Sequence, residues 1–80
     1  MALAVNDVKN LLIIAHQYDQ RHEVTEVKIA SWHAIFREEA PAMDYKWARR
    51  VIQRHYAVIG DMLMPNHLIR QWRSQRMAGR

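Results

Sequence analysis

The sequence predicts a single all-α domain, a compact bundle or orthogonal array of four helices. Three observations predict it. Apolar residues recur at helical spacing in four separate stretches, no stretch alternates apolar and polar residues as a strand would, and Pro41, Gly60, Pro65 and Gly79 stand only at the edges of those stretches. The expected helices cover about residues 6–20, 25–38, 45–59 and 65–76, with 77–80 as a mobile basic tail.

In the first stretch, Val8, Leu11, Leu12 and Ala15 fall at i, i+3, i+4 and i+7, with Ile14 and Tyr18 widening the stripe and Ile13 left outside it. Asn6 is read as the N-cap and Asp7 as a carboxylate at the positive end of the helix, while Arg21 and His22 suit its negative end. Thr25 caps the second helix, and Glu26 follows in its first turn. Its apolar residues, from Val27 to Phe36, surround most of the circumference, which predicts a helix sandwiched between others, with Ile29, Trp32 and Phe36 on its main face. Pro41 ends it by disfavouring helical geometry at Ala40.

The third helix has the clearest division of faces. Ala48, Val51, Ile52 and His55 make the apolar side, and Lys46, Arg49, Arg50 and Arg54 the cationic one. Asp44 is its expected N-cap, and Gly60 its expected left-handed closure. Pro65 suits the first turn of the fourth helix, where its missing amide costs nothing, and Leu68, Ile69 and Trp72 continue the core stripe. Arg70, Arg73 and Arg76 lie outside that stripe in one rough row.

An 80-residue chain is near the lower size at which one core holds a fold together without metals or disulfides. The absence of cysteine removes disulfides, thiolate metal sites and cysteine nucleophiles. No run approaches the roughly 18 apolar residues of a membrane span, and the opening Met-Ala-Leu-Ala lacks the basic residues that precede a signal-peptide core, so the expectation is a cytoplasmic chain. The net charge of +4 is divided unevenly: residues 1–40 carry four basic and six acidic side chains, and residues 41–80 eight and two. Such an arginine-dominated half attracts phosphate backbones or acidic protein surfaces.

Chemistry-bearing patterns are sparse. No two of the five histidines stand four apart as in a zinc helix motif, although His55 and His67 are positioned to converge where helices three and four meet; His55 is expected to be a half-buried, hydrogen-bonded core residue, and His16, His22 and His33 surface groups. Glu38 and Glu39 point to different sides of a helix and make a poor acid/base pair, and Ser31 and Ser74 lack a recognisable base. No catalytic residue, metal ligand or cofactor is expected. Of the three tryptophans, Trp32 and Trp72 suit the core and Trp47 a partly exposed position.

Val27, the Trp32-His33 pair, Phe36, Tyr45, Val51, His55-Tyr56 and the run Met64-Pro65-Asn66-His67-Leu68 together resemble small helical proteins of bacteriophages and actinobacterial prophages. In particular, they are similar to the helical N-terminal domain of phage replicative-helicase loader and inhibitor proteins. The resemblance implies a non-enzymatic accessory factor of phage DNA replication whose partner is the replicative helicase or another host replication protein. Such loaders carry an extended C-terminal segment that engages the helicase, whereas few residues follow the fourth helix here. The contact surface expected from charge is the basic side of helices three and four: Lys46, Trp47, Arg49, Arg50, Arg54, Asn66, Arg70, Arg73 and Arg76. Helix four offers Asn66, Arg70, Gln71, Arg73 and Ser74 outward, side-chain types that contact phosphates and base edges, so a small DNA-binding regulator working through that helix is the alternative.

Overall fold

A computed structural model describes residues 3–78 of the chain, with side chains through Gln75. Four 14-residue helices follow one another: α1 Val5–Tyr18, α2 Glu26–Glu39, α3 Tyr45–Val58 and α4 Pro65–Ala78. α1 packs against α2 and α3, and α4 closes the ring by packing against the same two. The four helices therefore surround one core in the order α1, α2, α4, α3. The Cα radius of gyration is 11.9 Å, close to the roughly 11.6 Å expected for a compact chain of this length.

The stripes predicted for α1 and α3 are the buried residues of those helices: Val8, Leu11, Leu12 and Ala15 face Ala48, Val51, Ile52 and His55 across the core. α2 contributes Trp32 and Phe36, α4 contributes Leu68 and Ile69, and Trp72 packs at the margin. Trp32 and Phe36 meet edge to face at 6.1 Å, and burying a ring of that size contributes about 1.5–3 kcal/mol. The segment before α1 and two of the connections also enter the core, since Leu3, then Ala40 and Met43 after α2, and Leu63 after α3 are all buried.

Capping explains most helix limits. The Thr25 hydroxyl accepts from Lys28 N at 3.1 Å, and the Asp44 carboxylate from Trp47 N at 3.1 Å. At α4, Pro65 opens the helix while His67 Nδ1 reaches back to accept from Met64 N at 2.8 Å, and His67 N donates to Met64 O. α4 continues to Ala78, beyond the expected end near 76; the rest of the expected mobile tail lies outside the described residues.

Four expectations are corrected. Asn6 does not cap α1: the cap is Ala4, whose N–H donates to Asp7 Oδ2 at 2.9 Å, and Leu3 before it and Val8 beyond it are both buried in the pattern of a hydrophobic staple. Gly60 does not close α3 in a left-handed turn, because no described residue has positive φ. The chain instead leaves α3 in an extended conformation at Ile59 (φ −121°, ψ 132°), and the loop carbonyls are met by side chains: His55 Nε2 donates to Asp61 O at 2.7 Å and Arg21 Nη2 to Gly60 O at 3.3 Å. α2 lies between α1 and α4, but its apolar circumference is not covered as expected: Val27 is 78% and Ile35 40% exposed.

The fourth correction concerns His22, which is wholly buried rather than a surface group. The turn after α1, closed by His22 N donating to Asp19 O, folds the imidazole inward against Trp32, ring to ring at 5.4 Å and 90°. Arg21 stays at the α1 terminus, where it grips the C-cap residue Asp19 through Nε at 2.8 Å and Nη2 at 2.7 Å.

Candidate functional site

α3 and α4 pack against one another and leave a groove between their outer edges. On the α3 side, Arg50, Val51 and Arg54 follow Trp47 along the groove; on the α4 side stand Gln71, Ser74 and Gln75. Two hollows of about 260 and 320 Å³ share Trp47, Val51, Arg54 and Gln75 as walls. Further toward the α3–α4 connection, a third of about 220 Å³ is lined by His55, Ile59, Asp61, His67 and Arg70, and it joins the first through Gln71.

Helical geometry accounts for this arrangement. Positions 47, 50, 51 and 54 recur at three and four residues, so they form one ridge of α3, immediately beside the buried stripe of Ala48, Ile52 and His55. Positions 71, 74 and 75 do the same on α4 beside Leu68 and Trp72. When the two buried stripes pair, the adjoining ridges become the rims of one groove.

Trp47 is half-buried at the groove's end. Its indole meets Trp72 edge to face at 5.0 Å, and Nε1 donates to Gln75 Oε1, which pins the ring across the two helices. The Gln75 amide nitrogen is left as a donor beside the hollow. His55 and His67 stack at 5.4 Å in the third hollow. Since His67 Nδ1 accepts from Met64 N, the ring proton of the neutral form sits on Nε2.

The expected contact residues divide into three sets. Trp47, Arg50, Arg54 and Arg70 line the groove. Lys46 and Arg49 are exposed on the outer side of α3 and do not line it. Asn66 and Arg73 are turned away toward α2, where Arg73 Nη2 pairs with Glu39 Oε1 at 2.7 Å and also donates to Glu39 O. The row expected to run from Arg70 through Arg73 is thus split, because an i, i+3 pair advances by about 300° and the two residues straddle the crest of α4. The side chain of Arg76 lies outside the described residues.

Among the described residues the ion pairs are Arg21–Asp19 and Arg73–Glu39. Arg50, Arg54 and Arg70 therefore stand in the groove without a carboxylate partner among the described residues. Gln71 and Ser74, expected among the outward residues of helix four, do line the groove, whereas Gln75 was missed; its place beside the buried stripe of α4 is the signal that marks it.

A different cluster, also missed, occupies the end of the bundle where the α1–α2 and α3–α4 connections meet. Asp19 accepts from Arg21 and from Tyr56 Oη at 3.1 Å, and Tyr56 Oη accepts from Leu63 N at 3.1 Å. The Arg21 side chain, above all, holds the Asp19 carboxyl well below the usual carboxylate range. Lys28 Nζ donates to His22 Nδ1 at 2.9 Å, and burial, seconded by the Lys28 charge, lowers the His22 pKa. His22 Nε2 is buried without a hydrogen-bond partner.

On the other side of α4 lies a hollow of about 450 Å³ with an apolar floor of Ile35, Met64, Pro65 and Ile69 and the Glu39–Arg73 pair at its rim. No group of three or more His, Asp or Glu among the described residues is placed to hold a metal ion, and no described helix is long and apolar enough to cross a membrane.

These features define a small all-α module with one arginine-lined groove. Comparison with protein-family models, with curated proteins and with solved structures gave no match.

Proposed function

We propose that this chain is a phage-type, non-enzymatic adaptor whose α3/α4 groove docks on an acidic surface of a DNA-replication protein. The observation that carries the reading is the placement of Arg50 and Arg54 beside Trp47 in one groove, with Arg70 farther along it, none with an internal carboxylate partner among the described residues. Exposed arginines around a half-buried aromatic ring are the composition of a protein-binding patch. The replication setting, with the replicative helicase as first candidate, is supported by the resemblance of Trp32-His33, His55-Tyr56 and Met64-Pro65-Asn66-His67-Leu68 to phage helicase loaders and inhibitors.

Direct DNA contact through α4 is the competing reading. It loses support from Asn66 and Arg73, two of its expected contacts, which turn toward α2. The two readings separate when the full chain, immobilised, is offered an actinobacterial host lysate and, in parallel, labelled duplex DNA across a salt series. The expected result is capture of a replication protein that is lost with Arg50→Glu and Arg54→Glu. A DNA shift that persists to moderate salt, with no such capture, overturns the adaptor reading.

A further inference from the structure

The groove's two kinds of lining specify what enters it. Val51 and the Trp47 indole form an apolar floor; Arg50 and Arg54 rise on one rim; the amides of Gln71 and Gln75 and the Ser74 hydroxyl form the other. Arg50 and Arg54 are four residues apart on α3, about 6 Å along its axis, which is the spacing of carboxylates at i and i+4 on a second helix. Arg70 stands farther along, past Gln71.

We infer that the groove receives an acidic amphipathic helix of the partner protein, seating one aliphatic side chain over Val51 against Trp47 while carboxylates one turn apart pair with Arg50 and Arg54. This rests on the adaptor reading above and names the chemistry of its partner. A phosphate backbone satisfies the arginines but brings no aliphatic group to the floor. Trp47, tied to Gln75 and set edge-on to Trp72, is not free to swing out beneath a base. The helix contributes both halves: charge to the rim and a side chain to the hollow.

The test uses the full chain and a synthetic helical peptide of about 15 residues, with Glu at i and i+4 and Leu at i+3 and i+7. Its controls are the same peptide with Gln for Glu, and a short DNA duplex. Binding is followed by the indole Nε1–H resonance of Trp47. The Glu peptide is expected to shift that resonance, and the Gln peptide to bind about tenfold or more weakly. Arg54→Glu reverses the charge, and Ser74→Phe fills the hollow from an exposed position; each is expected to weaken binding by about tenfold or more while helicity by circular dichroism is unchanged. Equal binding of the Gln peptide, unaltered binding to Ser74→Phe, or displacement of the peptide by DNA overturns the inference. If lysate capture depends on Arg50 and Arg54 but the peptide does not bind, the adaptor reading stands and the acidic helix falls. If the peptide binds as described and no replication protein is captured, the reverse holds.

Discussion

Arg21 and Arg54 are both exposed arginines close to an α3 aromatic ring, yet their surroundings differ. Arg21 is consumed by the fold: it grips Asp19, which also accepts from Tyr56, and it reaches Gly60 O in the α3–α4 connection. Arg54 stands in the α3/α4 groove with no internal carboxylate among the described residues. Charges at the loop end are thus arranged to hold two connections together, and charges along the groove are free to meet something else. The difference teaches that charge on this surface is not a uniform coat: part of it is bonded within the fold, and part stands exposed along the groove.

The largest expected effect removes the wall behind the loop-end cluster. Trp32→Ala deletes the ring that packs against both Phe36 and His22 and is expected to cost about 3–5 kcal/mol in urea unfolding. The same variant, where folded, is expected to bring the His22 titration, followed by NMR, back toward an ordinary histidine value. A His22 titration that stays depressed shows that the ring is not what shields it.

Acidification attacks the same end without mutation. His22 is held below its ordinary value of 6.5, so its contribution is fully present above that pH and is lost as pH falls below it, when the unfolded chain takes up the proton first. The Lys28 ammonium and the Arg21 guanidinium disfavour the second positive charge, and Asp19 opposes them. Asp19 adds a second window, since its contribution is present above the ordinary 3.8 and is lost as pH falls through lower values. Thermal melts are expected to fall first below about pH 6.5 and again below about pH 4. His22→Gln, which keeps an acceptor for Lys28, is expected to flatten the first decline and leave the second.

Tyr56→Phe tests the hydroxyl that joins Asp19 to Leu63 N. Its loss leaves the amide of a buried residue without that acceptor and is expected to cost about 1–2 kcal/mol, whereas Arg54→Glu is expected to stay within about 0.5 kcal/mol of the parent. Equal effects erase the contrast between the two regions. Smaller still, Gly60→Ala is expected to stabilise by about 0.4–1 kcal/mol, because an added Cβ meets nothing within 4 Å and the backbone there is not left-handed. Last, Arg73→Ala severs an ion pair whose side chains are both more than half exposed, and a loss of about 0.5 kcal/mol or less is expected in the same melts.

Legibility followed sequence distance. The stripes of α1 and α3, the caps Thr25 and Asp44, and the start of α4 at Pro65 were readable because each depends on neighbours within one or two turns. The Tyr56–Asp19 and Arg73–Glu39 contacts join residues 37 and 34 positions apart, and nothing local marks them. Arg73 carries the same charge as Arg70, yet one is paired with α2 and the other lines the groove. Gly60 misled for a related reason. Its composition promised a left-handed stop, but Arg21 and His55, arriving from outside the turn, satisfied the loop carbonyls in an extended path.

By itself, then, the sequence determined four helices, their apolar faces and a cationic second half, because helix periodicity and capping act between residues a few positions apart. Only the tertiary structure decided which of those cations remain available. An arginine meets a carboxylate or open solvent according to which helix lies beside it, and that is settled by the packing of all four apolar faces at once. His22 shows the same rule from the inside: a polar residue in a turn became core because the turn folds back onto Trp32.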